Sequence, residues 1–509
     1  MSKLIVKNTC LKIEDYEIGD NPELEKYFVI YNPTTHQYYY EGLHYDTNTR
    51  TLYLPRGIDV YFVEKCLDTK AIVERNMYNE FDKYNDIYLK KLPRDDIQKE
   101  ALRFTIGKGE YKDTAYKSQL QVNLYTGKGK TYISIATSAY MGIKSIIITS
   151  QGTWLDQWRD KIKEYTNVSD KEIYNIKGVG CIYRLLTKSP EEIKQIKYFT
   201  VTHSTLKSYG DKHGWDKITE LFEYLRIGLK FIDEAHLNFD NMLMIDYYTN
   251  VYKTYYISAT ALRSNEFENK IYQLAFKNVL AIDLFDPEVD PHTEYLSMIY
   301  NSKPTPQQIS SCKNQYGLDR NKYTNLIVKN ENFYRLLTIL LEIIEEHVGL
   351  YEKCLIYIGT NNAIAEVYNW IIENHHEFYN NVGIYTSMVS DEEKLDALNK
   401  RLILSTTKSA GAAVDIPNLK MTVVLAEPFK SEVLARQTLG RTRADNTMYI
   451  EIVDRGFNQI KKYYNYKKPI FDKYATECTE IEIGDLELMN RYDKIQERKE
   501  KNKVMYHEY

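Results

Sequence analysis

Seven consecutive residues, Tyr125-Thr126-Gly127-Lys128-Gly129-Lys130-Thr131, lie between the strand-like residues 121–124 and a helical run over 132–141. Their types suit a polyphosphate. The glycines let successive backbone N–H groups converge on phosphate oxygens, and the following helix aims the positive end of its dipole at them. Thr126, Gly127, Lys128 and Gly129 would form the cradle, Lys130 would reach the terminal phosphates, and the Thr131 hydroxyl would hold Mg²⁺. A complete phosphate loop carries a small residue at the position of Leu124, so the match is partial.

Asp233 and Glu234 supply the second half of that chemistry. They follow the strand-like Lys230-Phe231-Ile232, 103 residues beyond Lys130, and open the sequence Asp233-Glu234-Ala235-His236. Two adjacent carboxylates at a strand end can divide the work: Asp233 binds Mg²⁺, directly or through water, and Glu234 orients and deprotonates the water that attacks the γ-phosphate.

These groups need a scaffold that brings loops from distant parts of the chain together. Residues 3–92 read as strands and turns, for example 27–31 ending at Asn32-Pro33, and predict a small α+β accessory domain over 1–92. A helix opens near Pro93-Arg94-Asp95-Asp96, with acids in its first turn. Strand-like 145–149, 198–202 and 229–232 then alternate with helical 154–165 and 215–225. Such alternation predicts a parallel α/β sheet over 93–285, with ligands at the carboxyl ends of its strands. A looser region over 286–323 holds four of the twelve prolines. Helical 332–347 and 363–374 and strand-like 354–358, 401–405 and 421–425 then predict a second α/β domain over 286–484. Residues 485–509 read as a charged helix or a frayed, solvated tail.

With Ser258-Ala259-Thr260 added, the glycine-lysine loop and Asp-Glu-Ala-His resemble, in order, motifs I, II and III of the superfamily 2 helicases of DEAD/DEAH type. Residues 404–417, with Gly411 and Asp415, resemble motif V, and Gln437-Thr438-Leu439-Gly440-Arg441-Thr442-Arg443 resembles motif VI. The resemblance implies two tandem RecA-like domains that hydrolyse ATP with Mg²⁺ and act on nucleic acid. It implies that Gln98 reads adenine, that Gly411 and Asp415 touch the nucleotide, and that His236, Ser258 and Thr260 couple hydrolysis to movement. Gln437, Arg441 and Arg443 would act at the γ-phosphate, where a permanently charged guanidinium best meets developing charge. The usual spacing is Gly-Arg-x-x-Arg, whereas here the arginines are two apart, which favours Arg441 as the arginine finger. Ser150, in a motif Ia-like stretch, Thr202 and Ser204, in a Ib-like one, and Thr406 and Lys408 would grip the sugar-phosphate backbone. The Asp-Glu-Ala-His form and the Gln-x-x-Gly-Arg pattern look closer to DNA-processing members, including phage UvsW-like helicases, than to RNA-specific ones. The alternatives are a duplex translocase or annealing remodeller that does not unwind, an RNA helicase, and a nucleic-acid-binding module with a defunct ATP site.

Composition narrows the remaining classes. Lys+Arg at 67 against Asp+Glu at 71 gives a net charge of −4, so a nucleic acid must be met by a local basic surface. The six cysteines are scattered, with no metal-ligand spacing, so neither structural zinc nor a disulfide framework is expected. No uninterrupted apolar run reaches membrane-spanning length, and a monomer in a reducing cytoplasm is expected, that of the host if a phage encodes the chain. The 47 tyrosines fit a genome rich in A and T, as many phages have.

Overall fold

A computed structural model describes residues 2–32, 37–73, 78–124, 128–235, 239–258, 266–284, 293–315, 317–410, 414, 416–441 and 446–507. The chain forms two compact units, Met1–Phe285 and Asp286–Tyr509.

In the first unit, strands β1 (Lys3–Val6), β2 (Cys10–Glu14), β3 (Val29–Asn32), β4 (Gln37–Tyr40), β5 (His44–Asp46), β6 (Thr51–Pro55) and β7 (Ile72–Val73) come first. Five of them make a sheet in the order β5-β6-β2-β1-β7, and β3 and β4 pair separately as a ribbon. The larger sheet has its own core of Leu4, Val6, Leu11, Ile13, Leu52 and Leu54. Cys10 and Tyr53 also join Phe239, Met242 and Tyr247 in one apolar cluster, which packs the early strands onto the helix Phe239–Tyr247.

The main sheet consists of β8 (Gln119–Asn123), β9 (Ser145–Thr149), β10 (Ile173–Ile176), β11 (Tyr198–Thr202), β12 (Leu229–Asp233), β13 (Lys253–Ser258) and β14 (Leu280–Asp283). Their order is β10-β11-β9-β12-β13-β8-β14, and every pairing is parallel. Central strands of such a sheet are covered on both faces, which is why β9 reads Ser-Ile-Ile-Ile-Thr with all five residues buried. Lys230 breaks the apolar run of β12, and its charge is matched: Nζ donates to Asp246 Oδ1 at 2.5 Å and to Thr249 Oγ1 at 2.6 Å. The Tyr256 hydroxyl completes the network by donating to Asp246 Oδ2 at 2.6 Å. A fully buried ammonium is tolerated only with partners of this kind.

The second unit holds β15 (Thr293–Tyr300), the two-residue strands β16 (Lys313–Asn314) and β17 (Gly317–Leu318), β18 (Lys353–Ile358), β19 (Val382–Tyr385), β20 (Leu402–Ser405), β21 (Leu419–Ala426), β22 (Thr447–Asp454) and β23 (Cys478–Glu482). Seven of these form a second all-parallel sheet, β19-β20-β18-β21-β22-β15-β23. Two doubly wound parallel sheets are therefore present, as the alternation of strands and helices predicts.

Two sequence expectations are corrected here. The looser region over 286–323 contains β15, an eight-residue strand whose alternation of buried and partly exposed positions is hidden among polar residues. The charged C-terminus is a docked helix, Asp485–His507, rather than a solvated end. Its own Leu488 and Ile495 are buried, Arg498 pairs with Glu342 of the helix Glu331–His347, and Lys499 Nζ lies 3.1 Å from Glu377 Oε1.

Candidate functional site

The phosphate loop begins where β8 ends. Leu124 still belongs to the sheet in its bonding: its N–H donates to the Ser258 carbonyl at 2.9 Å, and its side chain is fully buried. A side chain stands at the usual small-residue position because the chain has not yet turned. Thr126 and Gly127 lie outside the described residues. Gly129 caps the helix Lys130–Met141 with φ +96°, a left-handed conformation that favours glycine. A Cβ there would also lie 2.2 Å from Gln98 Nε2, so any side chain at this position would push the Gln98 amide aside.

Gln98 is thus part of the loop's support. It sits in the first turn of the helix Asp96–Ile106, capped by Asp95, whose Oδ1 accepts from Gln98 N at 2.9 Å. Its amide is committed within the chain: Oε1 accepts from Arg94 N at 2.9 Å, and Nε2 donates to the Lys128 carbonyl at 3.3 Å.

Asp233 is the last residue of β12, between β9 and β13. The chain turns sharply after it. Glu234 has φ +50°, unusual for a residue with a side chain, and Ala235 N donates to the Ile257 carbonyl at 2.9 Å, which holds the turn against β13. The turn aims Glu234 at the phosphate loop, where its Oε1 accepts from Lys130 Nζ in an almost buried ion pair. Burial, then the neighbouring Glu234 charge, pushes the Asp233 carboxyl up to about 7, against the pull of Lys130 and a hydrogen bond from Trp158. That bond runs from Trp158 Nε1 to Asp233 Oδ2 at 3.3 Å. Trp158 is buried on the helix Thr153–Tyr165, and nothing in the spacing of the sequence connects it to Asp233.

The donor set suits a hard divalent cation. Among the described residues two adjacent buried carboxylates face the Lys130 ammonium, and burial beside the Glu234 charge makes Asp233 resist ionisation, a cost that a bound cation would offset. Thr131 follows Lys130 in the first turn of the same helix.

The residues expected to grip nucleic acid are placed unequally. Ser150 follows β9, and its Oγ is buried without a hydrogen-bond partner among the described residues. Thr202 is committed as a helix cap: Oγ1 accepts from Thr205 N at 3.2 Å and lies 3.0 Å from Ser204 Oγ, while Ser204 itself is exposed. Between them, His203 is buried with neither ring nitrogen hydrogen-bonded among the described residues, and burial pushes its pKa down to about 4. Ser258 closes β13 and accepts from Leu124, as described above. His236 and Thr260 lie outside the described residues.

In the second unit, Thr406 Oγ1 accepts from Ser409 N at 3.0 Å, which starts a short helix on which Lys408 is exposed. Thr407 binds Glu427 twice, its N–H donating to Oε2 at 2.8 Å and its hydroxyl to Oε1, and so ties this loop to the exit of β21. Glu427 did not emerge from the sequence; it is an isolated acid before a proline. Arg441 is 4% exposed, and its Nη1 donates to the Val414 carbonyl at 2.7 Å, so the motif VI-like arginine is held by the motif V-like loop. Gln437 lies on the helix Glu432–Leu439. Gly411, Asp415 and Arg443 lie outside the described residues.

Residues 91–263 match the family described as "Type III restriction enzyme, res subunit". No curated protein matches the chain in sequence. Among solved structures, Saccharomyces cerevisiae Dbp5 bound to RNA and ADP BeF3 is similar with a TM-score of 0.51 and 15% identity, over 79% of this chain and 92% of that one. T4 UvsW aligns over 95% of this chain and 99% of its own at 14% identity and a TM-score of 0.35. The chain thus shares the fold of Dbp5, two parallel α/β sheets in tandem.

Proposed function

We propose that this chain is an ATP-dependent helicase or translocase that acts on nucleic acid, DNA rather than RNA. The observation that carries the reading is the buried contact of Lys130 with Glu234 beside Asp233, which joins the two sequence motifs in one pocket.

Each residue then has a task. Lys130 leaves Glu234 to meet the terminal phosphates, and its departure frees the carboxylate to take a proton from the attacking water. Mg²⁺, held by Asp233 and Thr131, would offset charge on the β- and γ-phosphates. Trp158 keeps Asp233 oriented from behind. By its likeness to the motif VI arginine, Arg441 would meet charge developing on a transferred phosphoryl group, with the guanidinium donors that the Val414 carbonyl does not take.

Glu234→Gln is the decisive variant. It should bind ATP and leave it intact, and wild-type turnover in that protein would refute the assignment. ATPase measured with single-stranded, duplex and forked DNA and with RNA tests the partner: stimulation is expected, and is expected to be greatest with DNA. Since the Dbp5 structure contains RNA, an RNA-selective response would reassign the substrate while keeping the motor.

A further inference from the structure

The helix Asn458–Tyr474 belongs to none of the motifs, yet its sequence, Asn-Gln-Ile-Lys-Lys-Tyr-Tyr-Asn-Tyr-Lys-Lys-Pro-Ile-Phe-Asp-Lys-Tyr, is the most basic helix of a chain with net charge −4. Its five lysines do different things. Lys467 is buried: its Nζ pairs with Glu451 of β22 and sits 3.9 Å from the Phe429 ring centroid, which pins the helix to the sheet. Lys468 Nζ is paired with Glu480 of β23 at 2.8 Å, and Lys461 and Asp472 lie on the same side, so two lysines meet two carboxylates there.

The neighbouring exposed face, about 100° further round the helix, is not balanced. Lys462, Tyr466, Pro469 and Lys473 recur at the four-, three- and four-residue steps of one helix face, and all are exposed. Lys430, on the segment leaving β21, places its Nζ 4.9 Å from the Tyr466 ring centroid. Among the described residues, no carboxylate lies within ion-pair distance of Lys430, Lys462 or Lys473. The result is a stripe about 16 Å long at 1.5 Å per residue, with cations along it and a half-exposed tyrosine ring in its middle.

We propose that this stripe is a nucleic-acid contact separate from the motif residues, with Lys430, Lys462 and Lys473 on successive phosphates and a base stacked on Tyr466. The inference rests on the nucleic-acid reading above. Two features favour this occupant. Cations that alternate with an aromatic ring match a polymer that alternates phosphate with a flat base, whereas an acidic peptide would use the lysines and leave the ring idle. The stripe also begins on the edge of the sheet where Thr406 and Lys408 lie: β20, β18, β21 and β22 are neighbours, all parallel, and the Thr407–Glu427 bonds join the β20 and β21 exits. From β20 to β22 is about 15 Å at the usual strand spacing, a few nucleotides of reach.

The test uses the full chain and fluorescent single-stranded and duplex DNA, with binding followed by anisotropy over a range of salt. A triple variant, Lys430→Ala, Lys462→Ala and Lys473→Ala, should flatten the slope of log K against log salt by about 2 to 3 and weaken binding at low salt at least about tenfold. Its ATPase without nucleic acid should equal that of the wild type. Tyr466→Ala should weaken single-strand binding about 5- to 100-fold without changing the salt slope, and Tyr466→Trp should restore it. A triple variant with the wild-type slope and affinity overturns this inference alone. A wild-type chain that binds no DNA overturns both this inference and the reading beneath it. Tyr466→Ala binding as tightly as wild type removes the stacking role, and poly-glutamate displacing DNA equally well from wild type and from Tyr466→Ala would assign the stripe to acidic peptides instead.

Discussion

At the scale of single residues, the site is held by groups that sequence spacing does not connect. Lys130, Thr131, Asp233 and Glu234 were legible because each belongs to a local pattern at a strand end. Trp158 was not, because its bond to Asp233 spans 75 positions and depends on how the helix Thr153–Tyr165 packs against the sheet, over β10 and β11. Trp158→Phe keeps an aromatic ring and removes the donor, so the Mg²⁺ concentration needed for turnover should rise about 10- to 100-fold, the usual effect of losing a group that orients a metal ligand. Far-ultraviolet circular dichroism should be unchanged, and an unchanged Mg²⁺ requirement would deny Trp158 its positioning role. Leu124 looked like a defect in the phosphate loop and is a buried sheet residue. Leu124→Ala should therefore cost about 2 to 5 kcal/mol in urea denaturation, the usual penalty for truncating a buried leucine.

At the scale of elements, the long, strongly patterned segments were readable and those with mixed composition were not. β9 and the helix Glu331–His347 show their burial in runs of isoleucine and leucine. β15 and the C-terminal helix bury a thinner set, such as Leu488 and Ile495 among many charges, so composition hid them. The helix His203–His213 poses a different problem, since its first residue is a buried imidazole with neither nitrogen bonded among the described residues. The fold favours the neutral ring. Its pKa lies near 4 when folded and 6.5 when unfolded, so as the pH drops from about 6.5 towards about 4 the unfolded chain takes up a proton that the folded chain refuses. Stability should be complete above about pH 6.5 and fall by roughly 3 kcal/mol by pH 4 from this residue. His203→Leu should lose that part of the pH dependence in equilibrium unfolding; an identical pH profile would show that the ring titrates freely.

At the scale of the whole molecule, the early strands are built into the first unit. Asn8 N donates to Asn250 Oδ1 at 3.1 Å, its Nδ2 donates to the Val251 carbonyl at 3.1 Å, and Ser118 Oγ donates to the Asn8 carbonyl at 2.9 Å. Gln119 reaches both the Thr9 carbonyl and the Tyr256 hydroxyl, the latter being bonded to Asp246, so the attachment runs into the buried Lys230 network. Deleting residues 2–73 should uncover Phe239, Met242 and Tyr247 and leave a protein that aggregates or melts well below the full chain. In native-state hydrogen exchange the amides of β1 and β8 should open together, and early exchange of β1 alone would mean that the early strands fold and unfold on their own.

The Lys130–Glu234 contact also bears on what the resting protein ignores. Because that ammonium is already matched by a carboxylate, a passing sulfate or orthophosphate can reach Lys130 only by displacing Glu234. A ligand must bring several negative charges and its own divalent ion before the exchange is favourable, so selection for a metal-chelated nucleotide begins with the state of one lysine. Millimolar sulfate should leave the melting temperature unchanged where Mg²⁺ with ADP raises it, and Glu234→Gln, with its lysine released, should gain a response to sulfate.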